Sequence, residues 1–360
     1  MSKKQKLILI AGVFLLGITV LFFPKLKYIY AAFQKSSNTD AVVVYLKFDS
    51  QKGNLLDVHS VALLLQEKGV ISETALFELV GNQKEMNPRN IAMGKYIIEP
   101  GTAFRHIWNG FKLNSNLNGN AEQTVKVNFE NCRTINDLAG KIQDQLDLDS
   151  SKLINYLQDG TTLARLGFTY EQLPALFIPN TYEMYWDQTP ASFVERMAKE
   201  FKNYWTPTRM ALLKEQGLKT PSEAVTLASI VYSEQSKIAE EWPVIAGLYL
   251  NRVRQGIKLQ SDPTFKFCWG DQLKGVQRLL AVHRDIDCAY NTYQIQGLPP
   301  GPIYLPPTAV VEAVLNASKH DYIFMCAKPD HSSTHNFTAS GAQHIKNATA
   351  FQKWLDAGQP

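Results

Sequence analysis

Glu234 stands at the end of an apolar helical pattern, where a carboxyl group can serve as an acid. Four apolar residues before it share one helical face: Ala224, Leu227, Ala228 and Val231. Glu234 comes next on that face, so its carboxyl group is expected to be partly desolvated and its pKa raised. A carboxyl group that stays protonated near neutral pH can act as a general acid. The alternative is that Glu234 ends the helix and faces water, as most glutamates on amphipathic helices do.

The stretch from Ser222 to Arg252 supplies the elements that would position this carboxyl group. Ser222 followed by Glu223 predicts a helix start, with Pro221 just upstream. A short polar break follows Glu234, and a second helix is predicted from about Pro243, near whose start a proline is tolerated. The sequence therefore predicts a helix, a break and a second helix, with Glu234 at the first helix end.

Composition narrows the functional class and the compartment. The chain has 360 residues and a net charge of +4, with no basic block interleaved with aromatic residues, so it is not expected to bind nucleic acid. Four cysteines are present: Cys132, Cys268, Cys288 and Cys326. None forms a CxxC pair, which argues against a zinc site. Cys268 and Cys288 form a disulfide in an oxidising compartment or remain free thiols, and the sequence leaves both open.

The N-terminus predicts a membrane anchor. Lysines precede Leu7–Phe23, an uncharged apolar run of 17 residues, which is at the short end for a bilayer span. We assign residues 1–24 to a short cytoplasmic tail and a single transmembrane helix, and residues 25–40 to a juxtamembrane linker. The rest of the chain would lie outside the cytoplasmic membrane, on the periplasmic side. A cleaved signal peptide is the alternative, but no small-residue cleavage site directly follows the run.

Two further regions follow the linker. Residues 41–115 predict a strand, two helices, a strand and a helix. The Asn/Gly-rich stretch Leu113–Glu122 is the best internal boundary. Residues 123–357 alternate between helical patterns, short strands and a Gly/Pro-rich loop at Tyr290–Ile303. The predicted fold class is α+β, with a small module followed by a larger mixed α/β domain.

Several motifs in one order resemble a known family. LASIVYSE contains Glu234, and the later segments are GLYLNRVRQGIKLQSDPT, YNTYQIQGLPPGPI and an H-x-F at His335 with a further His344. Together they resemble the endolytic murein transglycosylases of the MltG/YceG-like family. The resemblance covers about Phe177 to Asn347, and weaker similarity reaches back to Asp57. It implies a YceG-like catalytic domain over residues 123–357, and a LysM-like module over residues 41–115 that binds glycan or acts as a spacer.

The resemblance also implies the site. Glu234 would be the catalytic acid and base, although many members carry a second glutamate where this chain has Tyr232. In the segment LFIPNTYEMYW, Asn180 replaces the usual aspartate, and its aromatic residues either stack on sugars or pack in the core. The expected substrate-binding residues are Tyr182, Glu183, Arg252, Asp262, Tyr290, Asn291, Thr292, Tyr293 and His335. For Arg252 and Asp262, purely structural roles remain open, and no metal site is expected.

The implied reaction is lytic cleavage of nascent peptidoglycan. An enzyme of this family would cut the bond between N-acetylmuramic acid and N-acetylglucosamine and leave 1,6-anhydro ends, with no cofactor. It would thereby terminate or trim strand elongation, in contact with penicillin-binding proteins. Two alternatives remain: a hydrolytic muramidase, with Asp262 or Glu183 as the second carboxylate, and a non-catalytic peptidoglycan-binding scaffold.

Overall fold

The structure, a computed structural model, describes residues 22–47, 56–113, 122–273 and 281–358. The chain divides into two compact units. The first comprises residues 1–126, 145–147 and 183–188, and the second comprises residues 127–144, 148–182 and 189–360. The predicted span Leu7–Phe23 lies outside the described residues except for its last two. Of the helices that the structure describes, none combines the length and the apolar character needed to cross a membrane.

The first unit packs helices around a two-stranded antiparallel sheet. Its elements are α1 (residues 22–33), β1 (Val42–Leu46), α2 (Val58–Glu67), α3 (Thr74–Gln83), β2 (Gly94–Ile98) and α4 (Phe104–Phe111). From β1 onward this is the predicted order of elements. Part of the segment assigned to the linker is helical, because Ala31 and Ala32 of α1 are buried in this unit's core. In the sheet, Val44 lies opposite Tyr96.

Trp108 fixes the core of the first unit. Its indole ring stacks on Phe77 with ring centroids 4.6 Å apart, and its Nε1–H donates to the Phe77 carbonyl at 2.9 Å. Gly81 makes room for the ring, since a Cβ there would lie 2.7 Å from a carbon atom of the indole. Three helices and the sheet therefore meet on one aromatic cluster, which a side chain at Gly81 would disrupt.

The second unit is mostly helical. The boundary between the units falls within the paired strands β3 (Thr124–Asn128) and β4 (Thr181–Tyr185). The elements up to the central helix are α5 (Ile135–Gln143), α6 (Ser150–Gln158), α7 (Gly160–Leu166), α8 (Pro190–Tyr204), α9 (Pro207–Glu215) and α10 (Pro221–Glu234). Those after it are α11 (Trp242–Arg254), α12 (Asp262–Trp269), α13 (Ala281–Arg284), α14 (Thr308–Leu315), β5 (Phe324–Ala327), β6 (His335–Thr338) and α15 (Gly341–Asp356).

Helix α10 runs through the middle of this unit. Residues 224–231 are all buried, and the helix contacts α9, α11, α12 and α14. The predicted single apolar stripe is thus only part of the contact surface, since small residues such as Ala228 and Ser229 let neighbours approach on every side. The helix begins one residue earlier than predicted. Thr220 is its N-cap and accepts from the Glu223 amide at 3.2 Å, and Pro221 occupies the first turn, where its missing N–H costs nothing.

The structure answers the question of the cysteines. Cys268 of α12 and Cys288, in the loop before Tyr290, form a disulfide. Cys132 and Cys326 are free. The bond closes a loop across 20 positions of sequence and joins α12 to the segment just before the Gly/Pro-rich loop. Such a covalent link reduces the conformational entropy of the unfolded chain more than that of the folded one.

Removing this disulfide is expected to lower the free energy of unfolding by roughly 3 kcal/mol, the chain-entropy value for a loop of this size. The Cys268→Ser, Cys288→Ser double variant would be compared with the wild type in urea unfolding with and without dithiothreitol. The wild type should fall to the stability of the double variant when reduced, whereas the double variant should not respond. Equal free energies of unfolding for the wild type and the double variant without dithiothreitol would contradict the expectation.

Candidate active site

Glu234 is the last residue of α10, and its carboxyl group turns towards the neighbouring α11 and the start of α12. Its Oε1 accepts a hydrogen bond from the Tyr249 hydroxyl of α11 at 2.7 Å and another from the Ser261 hydroxyl at 2.5 Å. Both donors reach the same oxygen, and none of the described residues donates to Oε2. This leaves Oε2 as the position from which a proton can be transferred.

The surroundings of Glu234 favour its protonated form. The side chain keeps some exposure to solvent, but burial of its carboxyl group raises the pKa of Glu234 above the ordinary value, and the negative charge of Asp262 adds to this. Hydrogen bonds from Ser261 and Tyr249, and the charge of His335, act in the opposite direction. Desolvation is the largest effect, so the predicted raised pKa is confirmed.

Ser261 is held by a buried threonine pair. Its amide donates to the Thr292 hydroxyl at 3.0 Å, and its carbonyl accepts from the Thr264 hydroxyl at 2.6 Å. The two threonine hydroxyls are 2.8 Å apart, and both residues are fully buried. Thr292 therefore fixes the donor to Glu234 instead of facing solvent. Ser261 precedes α12, which begins at Asp262 and has Pro263 in its first turn.

Asp262, Tyr293 and Arg284 form a second polar group beside the carboxyl of Glu234. The Tyr293 hydroxyl donates to Asp262 Oδ1 at 2.5 Å. Arg284 lies 3.6 Å from the same oxygen, and its guanidinium lies 5.1 Å from the centroid of the Tyr293 ring. The Tyr293 hydroxyl and the Arg284 guanidinium thus both face Asp262 Oδ1, and the negative charge of Asp262 favours a proton on Glu234.

A carboxylate–histidine pair lies on the other side of the break after α10. Glu241 accepts from the His335 amide and contacts His335 Nδ1, each at 2.7 Å. Gln235, the residue after Glu234, is buried and donates to Glu241 at 2.9 Å. Burial alone would raise the pKa of Glu241, but the hydrogen bonds from His335 and Gln235 hold it below the ordinary value. The pair therefore fixes both the imidazole and the end of α10.

Arg252 ties the chain before Ser261 to the last strand pair. Its guanidinium donates to the carbonyls of Ile323 at 2.6 Å and Leu259 at 2.8 Å, and it is buried. Asn291 is also buried and donates to the carbonyls of Arg284 and Ile286, both at 2.8 Å. These contacts make both residues supports of the loops around Glu234.

The remaining expected site residues have different surroundings. Tyr182 packs in the core of the second unit, where its ring stacks on Phe129 with centroids 5.6 Å apart and its hydroxyl donates to the Ile178 carbonyl. Glu183 is exposed and belongs to the first unit. Tyr290 is partly buried, with its ring 4.7 Å from that of Phe267. The second unit thus gathers Asp262, Thr292, Tyr293 and His335 around Glu234, and Tyr182 is held elsewhere by core packing.

An open cavity of about 790 Å³ adjoins the last turn of α10. Its lining includes Arg133, Tyr232, Ser233, Lys266 and Tyr304. Among the described residues, Glu234 is not part of this lining, whereas its neighbour Ser233 is. These residues were not predicted as site residues from the sequence, and Tyr232 stood out only as a departure from the family pattern. Helical spacing does carry one signal, because it puts Ser233 opposite the apolar stripe and Tyr232 at the edge of the stripe.

The raised pKa of Glu234 predicts a pH-dependent stability difference. The folded protein holds the proton more tightly than the unfolded chain, so the contribution of Glu234 to stability is complete below pH 4.5 and is lost as pH rises through the raised pKa. Glu234→Gln keeps the shape and removes this loss. The variant should gain stability relative to the wild type as pH rises through that window, and the two should be alike at acid pH.

Thermal unfolding across pH would measure this difference. Glu240→Gln is the matched control, because Glu240 is exposed and lies six positions after Glu234 in the chain. A constant difference between Glu234→Gln and the wild type at every pH would mean that the carboxyl titrates alike in the folded and unfolded states.

The geometry defines a mixed α/β protein with one desolvated carboxyl group at the end of its central helix. The model of the YceG-like family matches residues 54–350, and the protein belongs to this family.

Named relatives agree with this membership. An endolytic murein transglycosylase of Bacillus subtilis is 25% identical over 303 residues, which is 80% of this chain and 80% of the relative. A protein of the same name from Streptococcus pneumoniae is 27% identical over 207 residues, 56% of this chain and 37% of the relative. A crystal structure of a YceG-like protein from Listeria monocytogenes has a TM-score of 0.53 at 20% identity, covering 86% of this chain and 99% of that one. It shows the shared mixed α/β fold.

Proposed function

We propose that the protein is an endolytic peptidoglycan lytic transglycosylase. It cuts the bond between N-acetylmuramic acid and N-acetylglucosamine in nascent glycan strands. The desolvated carboxyl group of Glu234, whose Oε1 is held by Tyr249 and Ser261 while Oε2 stays open, carries the proposal. The family and the names of the relatives from Bacillus subtilis and Streptococcus pneumoniae supply the substrate class.

The first step uses Glu234 as an acid. Its proton passes to the glycosidic oxygen while the bond between that oxygen and C1 of the muramyl sugar breaks. The N-acetylglucosamine side leaves as an alcohol, and positive charge develops on the muramyl ring. Because burial raises the pKa of Glu234, the carboxyl group holds the required proton closer to neutral pH than an exposed glutamate would.

The second step uses the same group as a base. The Glu234 carboxylate takes the proton of the muramyl C6 hydroxyl, and O6 forms a bond to C1, which gives the 1,6-anhydro ring. Glu234 ends as it began, and no water is consumed. An intramolecular nucleophile has a high effective concentration, so a second catalytic carboxylate is not required. Asp262 stabilises the developing positive charge in this scheme, while Tyr293 orients Asp262.

The remaining site residues divide into two roles. His335 and Tyr290 are the residues that we assign to contact with sugar, because both keep partial exposure. Arg252, Asn291 and Thr292 position the loops from within, since they are buried and bound to backbone or to Ser261. For Tyr182 and Glu183 the only support for contact with glycan is the family resemblance.

The location follows from the same proposal. Residues 1–24 would anchor the chain once in the cytoplasmic membrane, residues 41–115 would form the LysM-like module, and residues 123–357 would act outside the membrane on the periplasmic side. The Cys268–Cys288 disulfide supports an extracytoplasmic site of action, because such bonds persist in oxidising compartments. Penicillin-binding proteins, which make the strands, are the proposed neighbours.

A second candidate function is a peptidoglycan-binding scaffold without catalysis. The observation that favours it is the position of Tyr232, which lines the open cavity where many family members have a second glutamate. Glu234 turns instead towards Tyr249 and Ser261. If chemistry in this fold needs a carboxyl group that faces the cavity, this chain would bind strands and leave them intact.

Strand length after incubation separates the two candidates. The full-length protein and its Tyr232→Glu variant would each be incubated with uncrosslinked glycan strands. Shortening by the wild type is the expected result. Intact strands with the wild type but shortened strands with Tyr232→Glu would overturn catalysis in the natural chain and establish the scaffold. Tyr232→Phe is the matched control, because it keeps the ring without adding a carboxyl group.

A further inference from the structure

The open cavity beside α10 contains positive charge without an ionic partner. Arg133 and Lys266 both line it, and both side chains are exposed. Among the described residues, neither takes part in an ion pair. Among the lining residues that the structure describes, Asp271 is the one acidic side chain, so this part of the cavity has a surplus of positive charge. A surplus of this kind on a concave surface attracts an anion.

The same cavity has an aromatic wall. The rings of Tyr232 and Tyr304 lie with centroids 5.2 Å apart, tilted by 39°. The Tyr304 hydroxyl bonds to Asn131 at 3.2 Å, which fixes this ring from behind. Aromatic faces with a polar edge suit ligands that are part apolar and part polar, such as a sugar ring or a peptide. Cations and aromatics therefore line one opening.

The size and place of the cavity fit a glycan substituent. Its volume of about 790 Å³ is within the range of small-ligand sites. Tyr232 and Ser233 come from the last turn of α10, which also carries Glu234. A group bound here would therefore lie next to the helix end that presents the acid. A neutral stretch of glycan would leave Arg133 and Lys266 unused.

We propose that this cavity binds the acidic peptide stem of a muramyl residue, with its carboxylates on Arg133 and Lys266 and its apolar part on Tyr232 and Tyr304. The inference rests on the proposed function, since it names the portion of peptidoglycan that this surface recognises. An arginine can hold a carboxylate through two parallel hydrogen bonds, and a lysine adds a point charge. Strands with free acidic stems would thus be preferred over strands whose stems are absent or amidated.

The test is a binding measurement that does not depend on cleavage. Isothermal titration of the full-length Glu234→Gln protein would use a disaccharide-peptide monomer with free stem carboxylates and the same monomer with these groups converted to amides. Binding of the acidic form is expected to be about tenfold tighter, and the difference should shrink with added salt. The Arg133→Gln, Lys266→Gln double variant should lose this difference.

The control variant removes the same amount of positive charge from a surface outside the cavity. Lys199 and Lys214 are exposed residues of the same unit outside the cavity lining. The Lys199→Gln, Lys214→Gln double variant should retain the preference for the acidic monomer. Tyr304→Leu should weaken binding of the acidic and the amidated monomer by the same factor, because it removes apolar contact without changing charge.

Three results of these binding measurements bear on the stem site. Equal binding of the two monomers, or an unchanged preference in the Arg133→Gln, Lys266→Gln variant, would overturn the inference and leave the proposed cleavage standing. Displacement of the acidic monomer by dilute inorganic phosphate would also overturn it, since the site would then select phosphate. If the wild type leaves strands intact but the acidic monomer still binds more tightly, the stem site would be supported and the proposed catalysis would be contradicted.

Discussion

Replacing Glu234 with glutamine is expected to lower the rate of strand cleavage by roughly 10²- to 10⁴-fold, the usual contribution of a positioned general acid and base. Glutamine has nearly the same shape and can still accept from Tyr249 and Ser261, so the loops around it should stay in place. It cannot give a proton to the glycosidic oxygen. The measurement is the initial rate at which long uncrosslinked strands become shorter.

Two controls make this result specific. Glu240→Gln alters an exposed glutamate near the same helix end and should leave the rate unchanged. The Glu234→Gln protein should still bind strands as tightly as the wild type, because the substitution removes no side-chain volume. A Glu234→Gln rate within a few-fold of the wild type would mean that another group supplies the proton, and Asp262 would be examined next.

Replacing Arg252 with methionine is expected to cost about 2–4 kcal/mol of folding free energy. Methionine fills similar space but leaves the carbonyls of Ile323 and Leu259 buried without their donor, and unmade hydrogen bonds of this kind are expensive. The chain from Lys258 to Ser261 would lose its tether, so strand cleavage should fall as well. Urea unfolding measures the stability and the cleavage assay measures the second effect.

Arg254→Met tests whether the loss at position 252 is specific. Arg254 lies two residues later on α11 and is exposed, so its replacement should change stability by less than about 0.5 kcal/mol. If Arg252→Met were no less stable than Arg254→Met, the carbonyls would have found water or another donor, and the tether would have no energetic role.

The central helix pair was predictable because its signals are local. The spacing of Leu227, Val231 and Glu234 fixes which face of α10 is apolar and places the carboxyl group at its end. The raised pKa follows from the same pattern, because desolvation is its largest cause. The order of strands and helices in residues 41–115 was predictable for a similar reason. Each element there has its own hydrophobic periodicity and is bounded by turn-forming residues.

The partners of Glu234 were not predictable from spacing. Tyr249 and Ser261 follow it by 15 and 27 positions, and only packing of α11 and α12 against α10 brings them to one oxygen. Thr292 illustrates the same limit. As a polar residue in a Gly/Pro-rich loop it was expected to line a cleft, yet it is fully buried because it bonds to Ser261 and Thr264.

The boundary between the two units also depends on tertiary structure. The Asn/Gly-rich stretch Leu113–Glu122 indicated a division along the chain, but residues 145–147 and 183–188 cluster with the first unit. Such an assignment depends on contacts between segments that are distant in sequence, as in the pair β3 and β4, and local sequence patterns do not encode them. The disulfide is a comparable case, since connectivity of cysteines cannot be read from their spacing alone.

The proposed lytic reaction is tested most directly by the chemistry of the new strand ends. Uncrosslinked glycan strands would be incubated with the full-length wild type, and the products would be identified by mass spectrometry. We expect 1,6-anhydromuramyl ends, because the C6 hydroxyl and not water attacks C1. Reducing muramyl ends would contradict it, since they require water as the nucleophile and a second carboxylate to activate it.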